Sequence, residues 1–356
     1  ASTILKTFMD VHPMIIETLS PQSCQEWDDY IINSSRSCLY HLSCWKDVIE
    51  KSFKHNTYYL MARDVNKKIK GVLPLVRLKS ILFGDYMVSL PFFNYGGPCG
   101  DNLETENELL NAAIDIGKAE GVSHIEFRDI QKRENNIPCK TEKVSMILEL
   151  PDTSDELWES FDSKLRSQIK KPMKEGMTVE TGGIEQLDNF YEVFSKNMRD
   201  LGTPVYGKNF FENIFKSYPE HTKICTVKLK DTAVASGFLI GFKKRLEIPW
   251  ASSLKEYNRF SPNMLLYWSV LKFAIENGYK QFDFGRSSAD SGTYKFKEQW
   301  GAKAVQLYWY YWLSNGNKLP ELNPHNPKYN AAINIWKRLP VGLTKIIGPR
   351  IVKNLP

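Results

Sequence analysis

The residue in this chain best suited to bond-making chemistry is Lys297. It follows Phe296 at the end of a polar, glycine-containing stretch that runs from Phe282 to Gly301. The pattern predicts a strand through Phe282–Phe284, a loop, and a short helix carrying Tyr294, Lys295, Phe296, Lys297 and Trp300. Loops that follow strand ends are where α/β proteins place ligands. A fixed ammonium beside a reacting carbonyl can hold the negative charge that develops there, which is often the largest catalytic contribution. Lys297 is therefore expected to hold an oxyanion. Phe296 and Tyr294 would shape the site beside it, with Arg286 and Ser287 at the strand end as candidate substrate-binding residues. The competing reading makes Phe296 and Trp300, four residues apart, a core stripe with the lysines solvated.

A second stretch, Leu90–Pro98, ends an apolar run and holds Asn94, Tyr95 and the pair Gly96-Gly97. Glycines let backbone approach a ligand closely, and Asn94 and Tyr95 offer hydrogen bonds. Turn chemistry alone would also explain a Gly-Gly-Pro sequence. A third stretch has Arg199 and Tyr206 flanking Gly202-Thr203-Pro204, where an arginine could clamp a phosphate through two parallel bonds. An exposed turn arginine is the plainer alternative. The histidines form no pattern with serine or cysteine, and no serine lies in a Gly-x-Ser-x-Gly turn. No general base is evident, so any proton removal is left to water, to the substrate, or to Asp283 or Asp290. None of the six cysteines forms a Cys-x-x-Cys pair, so no metal is expected and the thiols are read as reduced and cytoplasmic.

The elements that must position these residues occur twice. Shifting residues 109–129 by 157 positions lays Gly121 on Gly278, and Ile125, Glu126 and Phe127 on Phe282, Asp283 and Phe284. Each copy reads as a helix ended by a glycine and followed by a short strand. Upstream, Leu90-Pro91-Phe92 matches Ile248-Pro249-Trp250. Further upstream, Thr57–Arg63 with Ile69–Leu78, and Thr222–Lys230 with Thr232–Lys243, read as hairpins. The chain therefore divides into residues 12–150, residues 151–315 and a tail, 316–356. Ser154 is the expected cap of the first helix after the seam. The two proline-containing loops are expected to edge one cleft. Only the second copy carries the Tyr294–Lys297 extension.

With 356 residues, the chain is long enough for two cores, and 42% hydrophobic with 25% charged residues is a globular composition. The formal charge of +6 permits an anionic partner without demanding one. A basic helix, Lys164–Lys174, could track phosphates or be a solvated face. No secretory leader and no membrane-spanning run is read in the sequence. The tail interleaves aliphatic residues with Lys337, Arg338, Lys345, Arg350 and Lys353. It could rest on an anionic membrane surface or pack back on the protein.

Phe282–Ser287 followed by Gly292–Ala302 resembles the signature of the Fem family of peptidoglycan-bridge aminoacyltransferases, nearest to its exosortase-associated relatives. Arg199–Pro204, Leu165–Lys171 and Leu90–Pro98 agree with it. The resemblance implies an α+β fold of two tandem GNAT (acyl-CoA N-acyltransferase)-like subdomains, with mixed central sheets flanked by helices. It implies transfer of an aminoacyl or acyl group to an amine of a cell-envelope precursor. The donor would be aminoacyl-tRNA or acyl-CoA, with no tightly bound cofactor. The acceptor would be a small-molecule or lipid-linked amine, and tRNA and the inner membrane surface would be partners. In Fem transferases the lysine of the Phe-Lys pair is held to stabilise the oxyanion and the aromatic to contact the tRNA end; the matching residues are Lys297 and Phe296. An acidic residue after the first Gly-Pro loop contacts the acceptor, and Asp101 matches it. The glycine turn with which ordinary acetyltransferases of this fold cradle pyrophosphate is missing here. Two other functions stay open: acyl-CoA-dependent N-acetylation of an amino sugar or lipid in exopolysaccharide synthesis, and a non-catalytic duplicate that only binds.

Overall fold

The computed structural model describes residues 14–133, 137–316, 318–320 and 327–355. His12, Glu321 and His325 lie outside the described residues. Among the described residues no helix is long and apolar enough to cross a membrane.

Both copies of the repeated unit form as read. Helix Leu103–Ala119 is capped by the Asn102 side chain and buries Leu109, Leu110, Ala113 and Gly117. Helix Pro262–Glu276 buries Met264, Leu265, Leu266, Val270, Leu271 and Ala274. Each is followed by a left-handed glycine, Gly121 at φ 68° and Gly278 at φ 75°, a conformation that costs other residues a Cβ clash. The chain then enters strands His124–Asp129 and Gln281–Ser288.

Each of these strands pairs in parallel with a predecessor for a few residues only. In the first unit Met87 lies opposite Ile125 and Val88 opposite Glu126. In the second, Arg245, Leu246 and Glu247 lie opposite Gln281, Phe282 and Asp283. Beyond these points the paired strands diverge, at Pro91 and Pro249, residues without an N–H for a ladder. The result is a wedge in each unit, opening toward the strands' C-terminal ends.

The sheets cross the seam at residue 150. Strand Lys143–Glu149 lies in the seven-stranded sheet beside Gln281–Ser288, with the strands of the second half. Strand Tyr308–Leu313 lies in the six-stranded sheet beside His124–Asp129, with those of the first. Each half thus donates one strand to the other. The first-half hairpin also differs from expectation. The run Ile69–Leu78 is broken into Ile69–Leu73, in a four-stranded sheet, and Val76–Ser80, in the six-stranded sheet. Pro74 stands at the break, where it cannot donate to a ladder. Its second-half counterpart, Thr232–Phe242, runs unbroken. The helix after the seam is capped by the Thr153 side chain, one residue before the expected Ser154.

One apolar cluster spans both halves. Tyr40, Trp45, Phe53, Phe93 and Tyr95 from the first pack with Phe190, Phe210, Phe211, Phe238 and Trp250 from the second. An apolar interface of this kind, with two exchanged strands, holds the halves in fixed relation. The tail packs back through Thr344, Gly348 and Val352, and its other side faces outward.

Candidate active site

Gly285 decides what the strand end presents. It has φ 78°, in the left-handed region, and the ladder to Lys143–Glu149 shifts register here. Asp283 lies opposite Ile147 and Arg286 opposite Ser145. Residues opposite each other in a ladder share a face, as do Ser145 and Ile147. This bulge therefore puts Asp283 and Arg286, three residues apart, on one face. Ser287 falls on the other. Its Oγ is buried without a hydrogen-bond partner, so the structure does not join it to Arg286.

Lys297 reaches this strand end from helix Gly292–Glu298, whose cap is Ser291. Its Nζ donates to the Gly285 carbonyl at 2.9 Å and to the Arg286 carbonyl at 2.8 Å. An ammonium has three protons, so one remains for a ligand. Lys297 is buried, and burial lowers its pKa to about 8 against the raising influence of Asp283. The expected pairing of core aromatics with solvated lysines holds only in part. Trp300 is buried and Phe296 half-buried, its ring 5.1 Å from Tyr267, while Lys295 is exposed. Tyr294 also packs partly on the second core.

The loop Leu90–Pro98 of the first half closes over this end of the second. Leu90 at φ 56° and Phe92 at φ 75° are left-handed without being glycine, a strain that folded proteins concentrate at functional sites. Gly97 packs so closely that a Cβ would stand 2.8 Å from the Arg128 carbonyl oxygen. Gly96 N–H donates to that same carbonyl, so the glycine pair serves packing. The loop delivers Asn94, whose Nδ2 lies 3.8 Å from where a Gly285 Cβ would be. It also delivers Tyr95 to the apex of the second wedge.

At that apex the Tyr95 hydroxyl lies 2.8 Å from Glu247 Oε1 and 2.7 Å from Asp283 Oδ2. Glu247 and Asp283 are the last parallel pair before the strands diverge. One phenolic proton cannot serve two carboxylates, so one carboxyl must bring its own. Asp283 also accepts from Ser145 Oγ and Gly285 N–H, both at 2.7 Å, so donors already meet both of its oxygens. Glu247 is raised to about 7 by burial and then by the charge of Asp283, and it takes the proton. Tyr40 donates to its Oε2 at 2.6 Å. Sequence reading missed Glu247 and Tyr40. The available signal was an acidic residue inside the apolar run Leu246–Ile248. Asp283, one of the expected bases, is only 1% exposed and has three donors; Asp290, the other, is exposed.

Arg286 is reached by solvent and forms no hydrogen bond or ion pair among the described residues. Its guanidinium lies 5.4 Å from the Trp309 ring, and Arg128 lies 4.4 Å from the same ring. The protein mass around it, and then Arg128, lower the pKa of Arg286, while Tyr206 raises it. Trp309, also missed, is fixed by its Nε1–H bond to the Asn94 carbonyl at 3.1 Å. The structure therefore brings Arg286, Lys297, Phe296, Asn94, Tyr95 and Tyr206 around one strand end. It holds two other candidates elsewhere. Asp101 accepts from Tyr30 at 3.0 Å and pairs with Lys70. Arg199 bonds Asp200 and the Leu339 carbonyl. In the basic helix, Arg166 pairs with Glu159 and Lys170 lies over Trp158.

A family model described as an acetyltransferase (GNAT) domain matches residues 160–298. The lipid II:glycine glycyltransferase of Staphylococcus haemolyticus (strain JCSC1435) is 22% identical over 272 residues, covering 57% of this chain. The chain spans 64% of that relative's length, just under two thirds. The crystal structure of FemX matches with a TM-score of 0.64 at 18% identity, over 85% of this chain and 98% of that one. A tandem GNAT protein from the clavulanic acid biosynthesis pathway matches with a TM-score of 0.53 at 9% identity, over 86% and 100%. The fold is that of two tandem GNAT units, and the sequence is similar to that of a Fem-type glycyltransferase.

Proposed function

We propose that this chain is an aminoacyltransferase that joins an amino acid to the amine of a lipid-linked cell-envelope precursor. The acceptor nitrogen attacks the carbonyl carbon of an aminoacyl ester. The ester carbon–oxygen bond breaks, an amide forms, and the proton lost from nitrogen balances the one gained by the departing hydroxyl. Lys297 holds the oxyanion formed between these events by a hydrogen bond from its remaining N–H. Arg286, which has no acidic partner among the described residues, takes an anionic part of a substrate, and Asn94, Tyr206 and Phe296 line the approach. Tyr95, gripped between Glu247 and Asp283, positions the first-half loop. Residues 12–150 and 151–315 are the two units of this reading, acting at the cytoplasmic side of the membrane.

The observation that carries this reading is Lys297 itself, buried at a strand end with two carbonyls fixing its Nζ and, among the described residues, no carboxylate bound to it. The glycyltransferase relative supports an aminoacyl donor. The acetyltransferase-domain match favours a second reading, with acyl-CoA as donor and a thioester in place of the ester. In the place of the pyrophosphate-binding turn, between strand Arg245–Ser253 and helix Pro262–Glu276, stands the 3-10 helix Lys255–Phe260.

Transfer assays with aminoacyl-tRNA and with acyl-CoA separate the two. Lys297→Met should lower the rate with the true donor by about 10²–10³, the cost of one lost oxyanion donor. Unchanged turnover in a folded Lys297→Met protein would remove Lys297 from the mechanism, and turnover only with acyl-CoA would replace the donor.

A further inference from the structure

Two aliphatic side chains stand clear of the protein at the tip of a hairpin. Strands Val76–Ser80 and Gly84–Val88 are joined through Ile81, Leu82 and Phe83. Ile81 is 104% exposed and Leu82 is 85% exposed. Single exposed aliphatics are ordinary on a protein surface, but an adjacent pair at a projecting tip is not. The C-terminal helix Val341–Val352 repeats the theme. It buries Thr344, Gly348 and Val352, and on the opposite side exposes Leu343, Ile346 and Arg350. The end of this helix is latched beside the hairpin. The Tyr86 hydroxyl donates to the Asn354 carbonyl at 3.0 Å, and His55 Nε2 bonds the Lys353 carbonyl at 2.6 Å. From Pro327 to Pro356 the sequence holds six lysines and arginines and no acid.

We propose that the Ile81-Leu82 tip inserts into an anionic lipid bilayer, with the C-terminal helix lying beside it on the headgroups. Aliphatic residues in the headgroup–acyl boundary under a basic rim are what such a surface binds. A three-residue tip is too small for a stable protein partner, which needs about 1,600 Å² of total buried surface. The location also suits the reaction proposed above. The strand from Gly84 to Val88 leads from the tip into loop Leu90–Pro98, which places the active site roughly 20 Å from the bilayer at ~3.3 Å per residue. That spacing fits an acceptor amine carried outward on a lipid headgroup.

The test is co-sedimentation of the full chain with vesicles of phosphatidylcholine, with and without phosphatidylglycerol. These vesicles contain neither donor nor amine acceptor, so the result is independent of whether transfer is the reaction. The chain should pellet with the anionic vesicles. Ile81→Ser with Leu82→Ser should lower partition about ten-fold or more with an unchanged melting temperature, since neither side chain packs in the fold. Arg350→Glu with Lys353→Glu should abolish the preference for phosphatidylglycerol. Wild-type chain left in the supernatant, or a double-serine variant that pellets like wild type, overturns the proposal. A double-serine variant that changes oligomeric state in size-exclusion chromatography while still binding vesicles also overturns it and makes the tip a protein contact.

Discussion

Replacing Glu247 with glutamine removes one titrating proton and almost no volume. In the folded chain Glu247 keeps its proton to about pH 7, against an ordinary value of 4.5, because it is buried and faces Asp283. Below pH 4.5 the folded and unfolded chains both hold this proton, and it costs nothing. As pH rises through the window from 4.5 to 7 the unfolded chain releases it first, so folding stability falls. Above the window the loss levels off at about 3 kcal/mol. Glutamine is neutral throughout. Its NH₂ can donate to the Tyr95 oxygen where the carboxyl proton did, and its carbonyl can accept from Tyr40. Urea unfolding of both proteins below and above the window isolates the Glu247–Asp283 pair, because titrations of groups remote from it cancel in the difference. Glu247→Gln should match wild type within about 1 kcal/mol on the acid side, the worth of one rearranged hydrogen bond. It should be more stable by about 3 kcal/mol on the alkaline side. A difference that does not change with pH would mean that Glu247 does not hold the extra proton and that the Tyr95 geometry is satisfied some other way.

Other substitutions probe the same strand end. Gly285→Ala forces a Cβ into a left-handed residue, and should cost about 1–2 kcal/mol in unfolding free energy. Because the bulge sets the face of Arg286, donor binding should weaken as well. Gly97→Ala meets the Arg128 carbonyl at 2.8 Å and should destabilise by about 1–3 kcal/mol, read as a lower melting temperature. The ammonium of Lys297 is lost as pH rises through about 8, so kcat should decline over that range. In Lys297→Arg the residual activity should keep its charge and show no such decline. Arg286→Gln should raise KM for the anionic substrate about ten-fold or more, with weaker salt dependence and little change in kcat.

Much of the local structure was legible because it rests on short-range rules. The glycine after each helix, the strand behind it and the short helix of Lys297 follow from spacing and backbone preference, and each stands where it was expected. Lys297 lies between Phe296, on the same short helix, and Trp300, just beyond its end, and both aromatics pack on the second core. The exchanged strands were not legible. Lys143–Glu149 and Tyr308–Leu313 look the same in sequence whichever sheet they join, and only the closed fold chooses between partners more than a hundred residues apart. The same limit hid the role of Glu247 and Tyr40. Their bond joins residues 207 positions apart, and neither has a partner until the halves meet. Arg286 and Ser287 were expected to act together, but adjacent strand residues face opposite ways, and it is the Gly285 bulge that puts Arg286 rather than Ser287 on the face of Asp283.

The duplication gives the two wedges matching parts, and the differences between them favour placing the proposed chemistry in the second. Glu126 and Asp283 occupy equivalent places, as last parallel partners of Val88 and Glu247. Arg128 and Arg286 follow them, one from each half, and both lean over Trp309. In the first wedge every part is spent internally. Glu126 accepts from Arg128 and Tyr311, and Arg128 is 1% exposed with a further bond to the Phe93 carbonyl. The first wedge's own loop folds back onto its strand through Gly96. That loop supplies the second wedge with Tyr95, which binds Asp283 and leaves Arg286 with no acid to pair with. The second copy then adds Lys297, another cation without a bound carboxylate. A cation left unpaired beside a hydrophobic seam is costly unless an anion arrives, and an oxyanion or a substrate phosphate is such an anion. In the first wedge Arg128 is neutralised in place by Glu126, whereas among the described residues Arg286 and Lys297 of the second have no acid bound, as the proposed transfer requires.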